Sequence, residues 1–283
     1  MSNPGKAKIG YALGGGGARG AAHIGVLKAL EQHGVFPDLI AGTSAGALVG
    51  ALYARGLKPA DIEKLALQLN WRGLGRFADL TVPRSGLLQG KRIMSHLTSI
   101  LGAIKFSDLK LPFVCVATDI MTGEEVLLSD GPVVDAVRAS ISVPGLMIPV
   151  RLGGRYLVDG GLVNQVPART CRQMGAEYVI AVSVSPNPAS VSLRRKAVRS
   201  ETDESRHKAP GLVKVLLQVS LISGYQQDMR DLECSDLAIT PSVDDIGLFD
   251  FNRAAQAIAI GEEAARRALE RCRLPSGGRR GRE

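Results

Sequence analysis

The sequence predicts an α/β fold on a parallel sheet, and three observations carry that reading. Ile9 to Leu13 is a short apolar run that ends in glycines and leads into helically spaced Ile24, Leu27 and Leu30. Leu39 to Ala41 is a second apolar run, and after Gly-Thr-Ser it leads into the helix-like stretch Ala45 to Arg55. Much later, "YVIAVSV" (Tyr178 to Val184) reads as a fully buried strand. Strands that alternate with helices pair in parallel. A right-handed crossover sets the first two side by side or close together, with their carboxyl ends on the edge where open α/β sheets bind ligands.

The remaining elements follow in order. The first helix, Gly20 to His33, stops at Gly34, and the second stops at Gly56. Glycine just past a helix is a common terminator because it adopts the left-handed conformation without steric cost. Pro59 to Leu69 and Lys91 to Leu101 have amphipathic helical spacing, with a Gly- and Arg-containing loop between them. Phe113 to Thr118 and Glu125 to Ser129 are predicted strands joined at Thr122-Gly123, followed by a short helix at Pro132 to Ala139. Val150 to Val158 reads as a hairpin around Gly153-Gly154, and Pro167 to Met174 as a helix. Leu212 to Asp231 and Phe251 to Cys272 are long helices flanking a strand at Leu237 to Thr240. One domain over 1–274 is expected, with a polar, mobile excursion at 187–208 and a disordered basic tail at 275–283.

Composition narrows the classes of function. A chain of 283 residues, 45% hydrophobic, can bury a large core. The net charge of +8 concentrates in "LRRKAVR" (193–199) and "GGRRGRE" (277–283). Both read as solvated charge or as attraction to anionic lipid headgroups. No RNP-like aromatic pattern or zinc-finger spacing points to nucleic acid. Cys115, Cys171, Cys234 and Cys272 lie far apart, so reduced thiols are expected. The N-terminus "MSNPGKAKIG" has no apolar core of a signal peptide, and no run is long and apolar enough to span a bilayer. A soluble, cytoplasmic protein with at most peripheral membrane contact is expected.

The chemistry centres on Gly42-Thr43-Ser44-Ala45-Gly46, a G-x-S-x-G pentapeptide between strand and helix. That pattern sets a nucleophilic serine on a sharp turn. Taken alone, Ser44 also fits an N-cap of the helix that follows. A nucleophilic serine normally gives its proton to histidine. His33 sits at a helix end, His96 in an amphipathic helix and His207 in the charged segment "ETDESRHKA". His23 lies in the first turn of the first helix, where packing is the simpler role. None is an attractive base.

A carboxylate is the alternative. Asp159 ends the apolar run of "YLVDGGLVNQVP" and is followed by two glycines, so another segment can approach it closely. Asp-Gly-Gly fits a hairpin turn equally well. Asp119 is the runner-up acid, although "TDIMTGE" reads better as a strand-to-turn feature, and Asp130 reads as a turn residue. An aspartate has an ordinary pKa of about 3.9, which an apolar pocket raises. Such a base suits esters, whose alkoxide leaving groups are less demanding than amines. The oxyanion then needs strong support. Gly14 to Gly17, in "ALGGGGARGAAH", can curl into an anion-binding nest at a helix start, with Arg19 nearby. Gly15, Gly17 and Gly20 also match the dinucleotide pattern G-x-G-x-x-G, but the acidic residue that holds a ribose is missing from the end of the second strand. A Walker A loop is excluded because no Gly-Lys-Ser/Thr follows.

"GGGGARG" (14–20), "GTSAG" (42–46) and "DGG" (159–161) together resemble the patatin-like phospholipase family. "ATDIMTGEEV" (117–126) and "ASISVPGLMIP" (139–149) add to the likeness, which covers roughly Lys8 to Val184 and is similar to short bacterial members related to the neuropathy target esterase catalytic domain. The resemblance implies a three-layer α/β/α sandwich with a mostly parallel central sheet. It implies a Ser-Asp dyad with Ser44 as nucleophile and Asp159 as general base, and an oxyanion hole from Gly15, Gly16 and Gly17 supported by Arg19. It also implies phospholipid, lysophospholipid or other lipid-ester substrates, and no metal or organic cofactor. Rival readings are a catalytically weak regulatory or partner-binding protein of the same fold, and a nucleotide binder using the Gly-rich loop. Leu87-Leu88, Ile93-Met94 and Leu97 are expected either to line an acyl groove or to sit in ordinary core helices.

Overall fold

The computed structural model describes residues 7–68, 90–186 and 211–272. The predicted excursion, the basic tail, Leu87-Leu88 and His207 lie outside them. Eight strands form one sheet: β1 (Ile9–Leu13), β2 (Leu39–Thr43), β3 (Phe113–Asp119), β4 (Glu125–Leu128), β5 (Val150–Leu152), β6 (Arg155–Asp159), β7 (Tyr178–Val182) and β8 (Leu237–Ile239). Their order is β5-β6-β3-β2-β1-β7-β8, with β4 also paired to β3. The strands β3, β2, β1, β7 and β8 pair in parallel. The pairings of β3 with β4, β3 with β6 and β5 with β6 are antiparallel.

The helices are α1 (Ala22–Gln32), α2 (Ala45–Ala54), α3 (Pro59–Gln68), α4 (Lys91–Leu101), α5 (Val133–Ser140), α6 (Ala168–Gln173), α7 (Leu212–Leu232) and α8 (Ala254–Arg271). Alternation along the central strands explains the layers. Tyr11, Leu13, Ile40, Ile180 and Val182 point to one face, where α1, α2, α5 and α8 pack on them. Ala12, Ala41, Val179 and Ala181 point to the other, where α6 packs. The small residues on that face let α6 approach closely. The result is the expected three-layer sandwich. The predicted first helix begins as a 3₁₀ turn, Gly17–Ala21, before α1 proper, because the chain is still bending away from β1.

Two strands share one edge of β3, and this places the site. Cys115 to Thr118 pair with β4 on one side. Thr43 of β2 pairs with Val116, and Asp159 of β6 pairs with the next residue, Ala117. Both lie opposite β4, so β6 takes over where β2 ends. The chain leaves β2 at Ser44 beside the end of β6.

Helix α2 starts tight against β1. A Cβ on Gly46 would stand 2.1 Å from the Leu13 carbonyl oxygen. Gly46→Ala is therefore expected to displace α2 and lower unfolding free energy by about 1–3 kcal/mol, measured by urea denaturation.

Candidate active site

Ser44 joins β2 to α2 with φ 53° and ψ −118°. Among the described residues it alone combines a positive φ with a side chain. Such a backbone costs about 1–3 kcal/mol and persists only where the surroundings enforce it. Here the Ser44 N–H donates to Ser140 Oγ at 2.8 Å, and Ser140 in turn donates to the Val116 carbonyl at 2.6 Å. Thr43, one residue earlier, donates from Oγ1 to the Asn164 carbonyl at 2.8 Å. The turn is thus held from α5, from β3 and from the segment after β6.

The Ser44 side chain does not cap α2. Its hydroxyl donates to Asp159 Oδ2 at 2.6 Å. The other carboxylate oxygen, Oδ1, accepts from the Gly161 N–H at 2.8 Å. The Asp159 backbone is fixed as well: its N–H donates to the Ser142 carbonyl at 3.0 Å, and its carbonyl accepts from Thr118 Oγ1 at 2.9 Å. Buried Arg138 donates to Ser142 Oγ and so braces this support from behind. Asp119 instead ends β3 and caps its own turn, accepting from the Met121 N–H at 3.0 Å.

Burial pushes the Asp159 carboxyl up to about 6; the hydrogen bonds from Ser44 and Gly161 hold it down in part. Burial also raises Asp228 and Asp231 of α7 to about 6. His23 is buried, with Nε2 donating to the Gly14 carbonyl at 2.7 Å, and burial lowers its pKa to about 4. It is neutral and structural. His33 bonds the Ala29 carbonyl through Nδ1. His96 lines the cavity described below, and burial lowers its pKa.

The Gly-rich loop differs in detail from expectation. The Gly15 N–H is already used, donating to the Gln165 carbonyl at 3.0 Å. Gly14 N–H donates to Val182, while Gly16 and Gly17 N–H have no backbone acceptor among the described residues. Gly17 is left-handed at φ 59°, and a Cβ there would meet the Leu248 carbonyl oxygen at 2.5 Å. Arg19 is buried but does not line the cavity. Its Nε donates to the Gly16 carbonyl at 3.2 Å and an Nη to Ile246. Burial lowers its pKa to about 10, offset in part by Asp244 and Asp250, so it stays charged. Arg19 therefore fixes the peptide of Gly16 and adds a positive charge behind the loop.

Gln165 is the residue that pattern reading missed. Its Nε2 donates to the Gly15 carbonyl at 2.9 Å and to Ser185 Oγ at 3.1 Å. Its Oε1 lies where a Cβ on Gly161 would stand, at 2.3 Å. It bridges the Gly-rich loop and the turn after Asp159, six residues along the chain from that acid. Its place in "DGGLVNQVP" was the available signal, but only the fold shows what it touches.

Ser44, Asp159 and Gly15 to Gly17 open into a cavity of about 570 Å³. Its wall is largely apolar, from Leu48 and Leu52 of α2, Ile93, Leu97 and Ile100 of α4, and Leu221 of α7. Ile93 and Leu97 line this cavity and also pack on the main core, as Met94 does.

The class is that of a three-layer sandwich with a serine on a sharp strand-to-helix turn, hydrogen-bonded to a buried aspartate. The chain belongs to the patatin-like phospholipase family, whose model matches residues 11–172. It is 33% identical to an NTE family protein of Mycobacterium tuberculosis over 93% of this chain and 46% of that protein. It is 29% identical to lysophospholipase NTE1 of Debaryomyces hansenii over 93% of this chain and 18% of the relative. The chain thus spans about half the length, or less, of these relatives. The solved structure of VipD from Legionella pneumophila aligns with a TM-score of 0.63 at 14% identity, over 95% of this chain and 68% of that one. At that identity the likeness is one of fold.

Two outcomes follow. Ser44→Gly and Ser44→Ala both lose the hydroxyl, but only glycine relaxes the backbone; Ser44→Gly is expected to be the more stable of the two by about 1 kcal/mol in chemical denaturation. Asp159, Asp228 and Asp231 hold protons in the folded state between about pH 4, near their unfolded values, and about pH 6. Over that window the folded state binds more protons than the unfolded one, so stability falls as pH rises. Melting temperatures from pH 4 to 7 check this, and Asp159→Asn should flatten part of the slope.

Proposed function

We propose that the protein is a serine hydrolase of lipid acyl esters, working through a Ser44–Asp159 dyad. The observation that carries this reading is the 2.6 Å hydrogen bond from Ser44 Oγ to Asp159 Oδ2 at an apolar cavity. A carboxylate in that bond accepts the serine proton as Oγ attacks the ester carbonyl. The oxyanion then forms against the Gly16 and Gly17 amides, with Gly15 and Arg19 holding the loop in place. Collapse of the tetrahedral intermediate breaks the carbon–oxygen bond of the alcohol, and Asp159 returns the proton to the departing alkoxide. Water then attacks the acyl-Ser44 ester, giving a proton to Asp159; the acyl–Oγ bond breaks, Asp159 passes that proton to Ser44 Oγ, and the fatty acid leaves with both residues restored. Preorganised amide donors are worth about 2.7–4 kcal/mol each to such a transition state.

The raised carboxyl of Asp159 supports the reading, since a base poised near neutral pH transfers protons efficiently. The apolar wall supports an acyl chain, and the name of the D. hansenii relative supports lysophospholipid as one substrate. Peripheral action at a membrane and a cytoplasmic location are part of the same proposal.

The test is labelling by a fluorophosphonate probe, with a panel of p-nitrophenyl esters and lysophospholipids. Wild type should label and hydrolyse; Ser44→Ala should do neither, and Asp159→Asn should lose at least about a thousandfold in kcat. Activity should rise through about pH 6 as Asp159 loses its proton. Folded protein that does not label sinks the proposal. Gln165→Ala should lower kcat by about tenfold to a hundredfold with KM nearly unchanged, because the loop it orients contacts the oxyanion rather than the acyl chain.

A further inference from the structure

The first turns of α7 are unusual for a surface helix. Leu212 to Gln227 contain one charged residue, Lys214. A surface helix normally carries charge along its solvent face, and a solvent face that is uncharged and rich in large apolar side chains marks a contact surface. Here one face is covered: Leu217, Ser220 and Leu221 line the cavity that holds Ser44. The opposite face is open, with Val215 at 39%, Val219 at 57% and Ile222 at 44% exposure. Their i, i+4, i+7 spacing makes one continuous stripe.

Topology puts this stripe beside the site. β7 and β8 are parallel, so the connection that carries α7 leaves from the carboxyl edge of the sheet, where Ser44 lies. Leu216 closes against Gly145, whose added Cβ would stand 2.9 Å from Leu216 Cδ1, and neighbouring Val143, Pro144 and Leu146 line the cavity. At the same edge the turn after β3 exposes Met121 at 75%. Exposed Lys91 and Arg92 begin α4, immediately before cavity-lining Ile93.

We propose that the Val215–Val219–Ile222 face of α7 is the surface by which the protein docks on an anionic lipid bilayer. The helix lies in the interface with its outer face among acyl chains and its inner face over the cavity. Three observations favour lipid as the occupant. The stripe is the back of a cavity wall, so a lipid reaching Ser44 passes along the helix edge without crossing water. Exposed Lys91 and Arg92 precede a residue of the cavity wall, and the whole chain carries +8. No described helix is long and apolar enough to cross a membrane, so the geometry is that of a helix lying on the bilayer. This assignment rests on the lipid-ester reading of the cavity, but docking is measured separately from hydrolysis.

The experiment is sedimentation with phosphatidylglycerol/phosphatidylcholine vesicles, using Ser44→Ala protein so that no product accumulates. Val219→Asp with Ile222→Asp in that background should weaken vesicle binding by at least about tenfold. In the Ser44 protein the same pair should leave hydrolysis of soluble p-nitrophenyl butyrate within about twofold, and a retained melting temperature reports folding. In a second variant, Ile222→Trp with the chain's own Trp71→Phe, indole emission should shift to the blue on adding vesicles. Undiminished sedimentation of the double variant, or an indole unchanged by vesicles, overturns the proposal. So does a wild-type dimer that the double variant turns into monomer, since a second copy then covers the stripe. Vesicle binding through the stripe by a protein that hydrolyses no ester upholds docking and removes the hydrolase reading.

Discussion

Strand β3 hands one of its edges from β2 to β6 between Val116 and Ala117, and the candidate site follows from that step. Thr43 and Asp159 become neighbours on consecutive rungs although 116 positions separate them in sequence. The turn after β2 must then bend over the end of β6, which forces Ser44 to a positive φ. Ser140 ties the two sides together by accepting from Ser44 N–H and donating to Val116. The strain at Ser44 is held by packing around it rather than by its own sequence.

Burial sets the chemistry of this arrangement. A carboxylate beside a serine hydroxyl in water would be a poor base. Asp159 is enclosed by β3, α5 and the turn at Gly160–Leu162, and it keeps two hydrogen bonds, enough to be populated as an anion near neutral pH. The same burial makes the folded state a better proton acceptor than the unfolded one, so the charged form of Asp159 opposes stability. Gln165 and Arg19 show a related division of labour. They hold the glycine loop by the carbonyls of Gly15 and Gly16, and the loop lines the cavity.

Much of the fold was legible because it rests on local patterns. Apolar runs closed by glycine marked β1, β2 and the helices after them, and boundaries moved by only a few residues. Periodicity did not show that β6 would enter antiparallel at the edge of a parallel sheet, since strand pairing depends on distant partners. In the site, Ser44 and Asp159 were visible through their flanking glycines. The loop was visible as a loop, but not which amides it spends internally. Gly15 was expected to offer its N–H and donates it to Gln165 instead, a fact that depends on a segment 150 residues away.

By itself the sequence determined the residue types: a serine at a sharp turn, an aspartate before two glycines, a run of small residues for a close loop, and no well-placed histidine. It also determined the nearly uncharged start of α7, which composition alone makes unusual. Tertiary structure decided everything that needs distance. It brought Ser44 Oγ within 2.6 Å of Asp159, buried the pair enough to raise the carboxyl, and gave α7 an inner face on the cavity and an outer face to solvent. The physical reason is that backbone turns and helix periods are set by neighbours in the chain. Proton affinity, strain and exposure are set by whatever the packed fold places alongside.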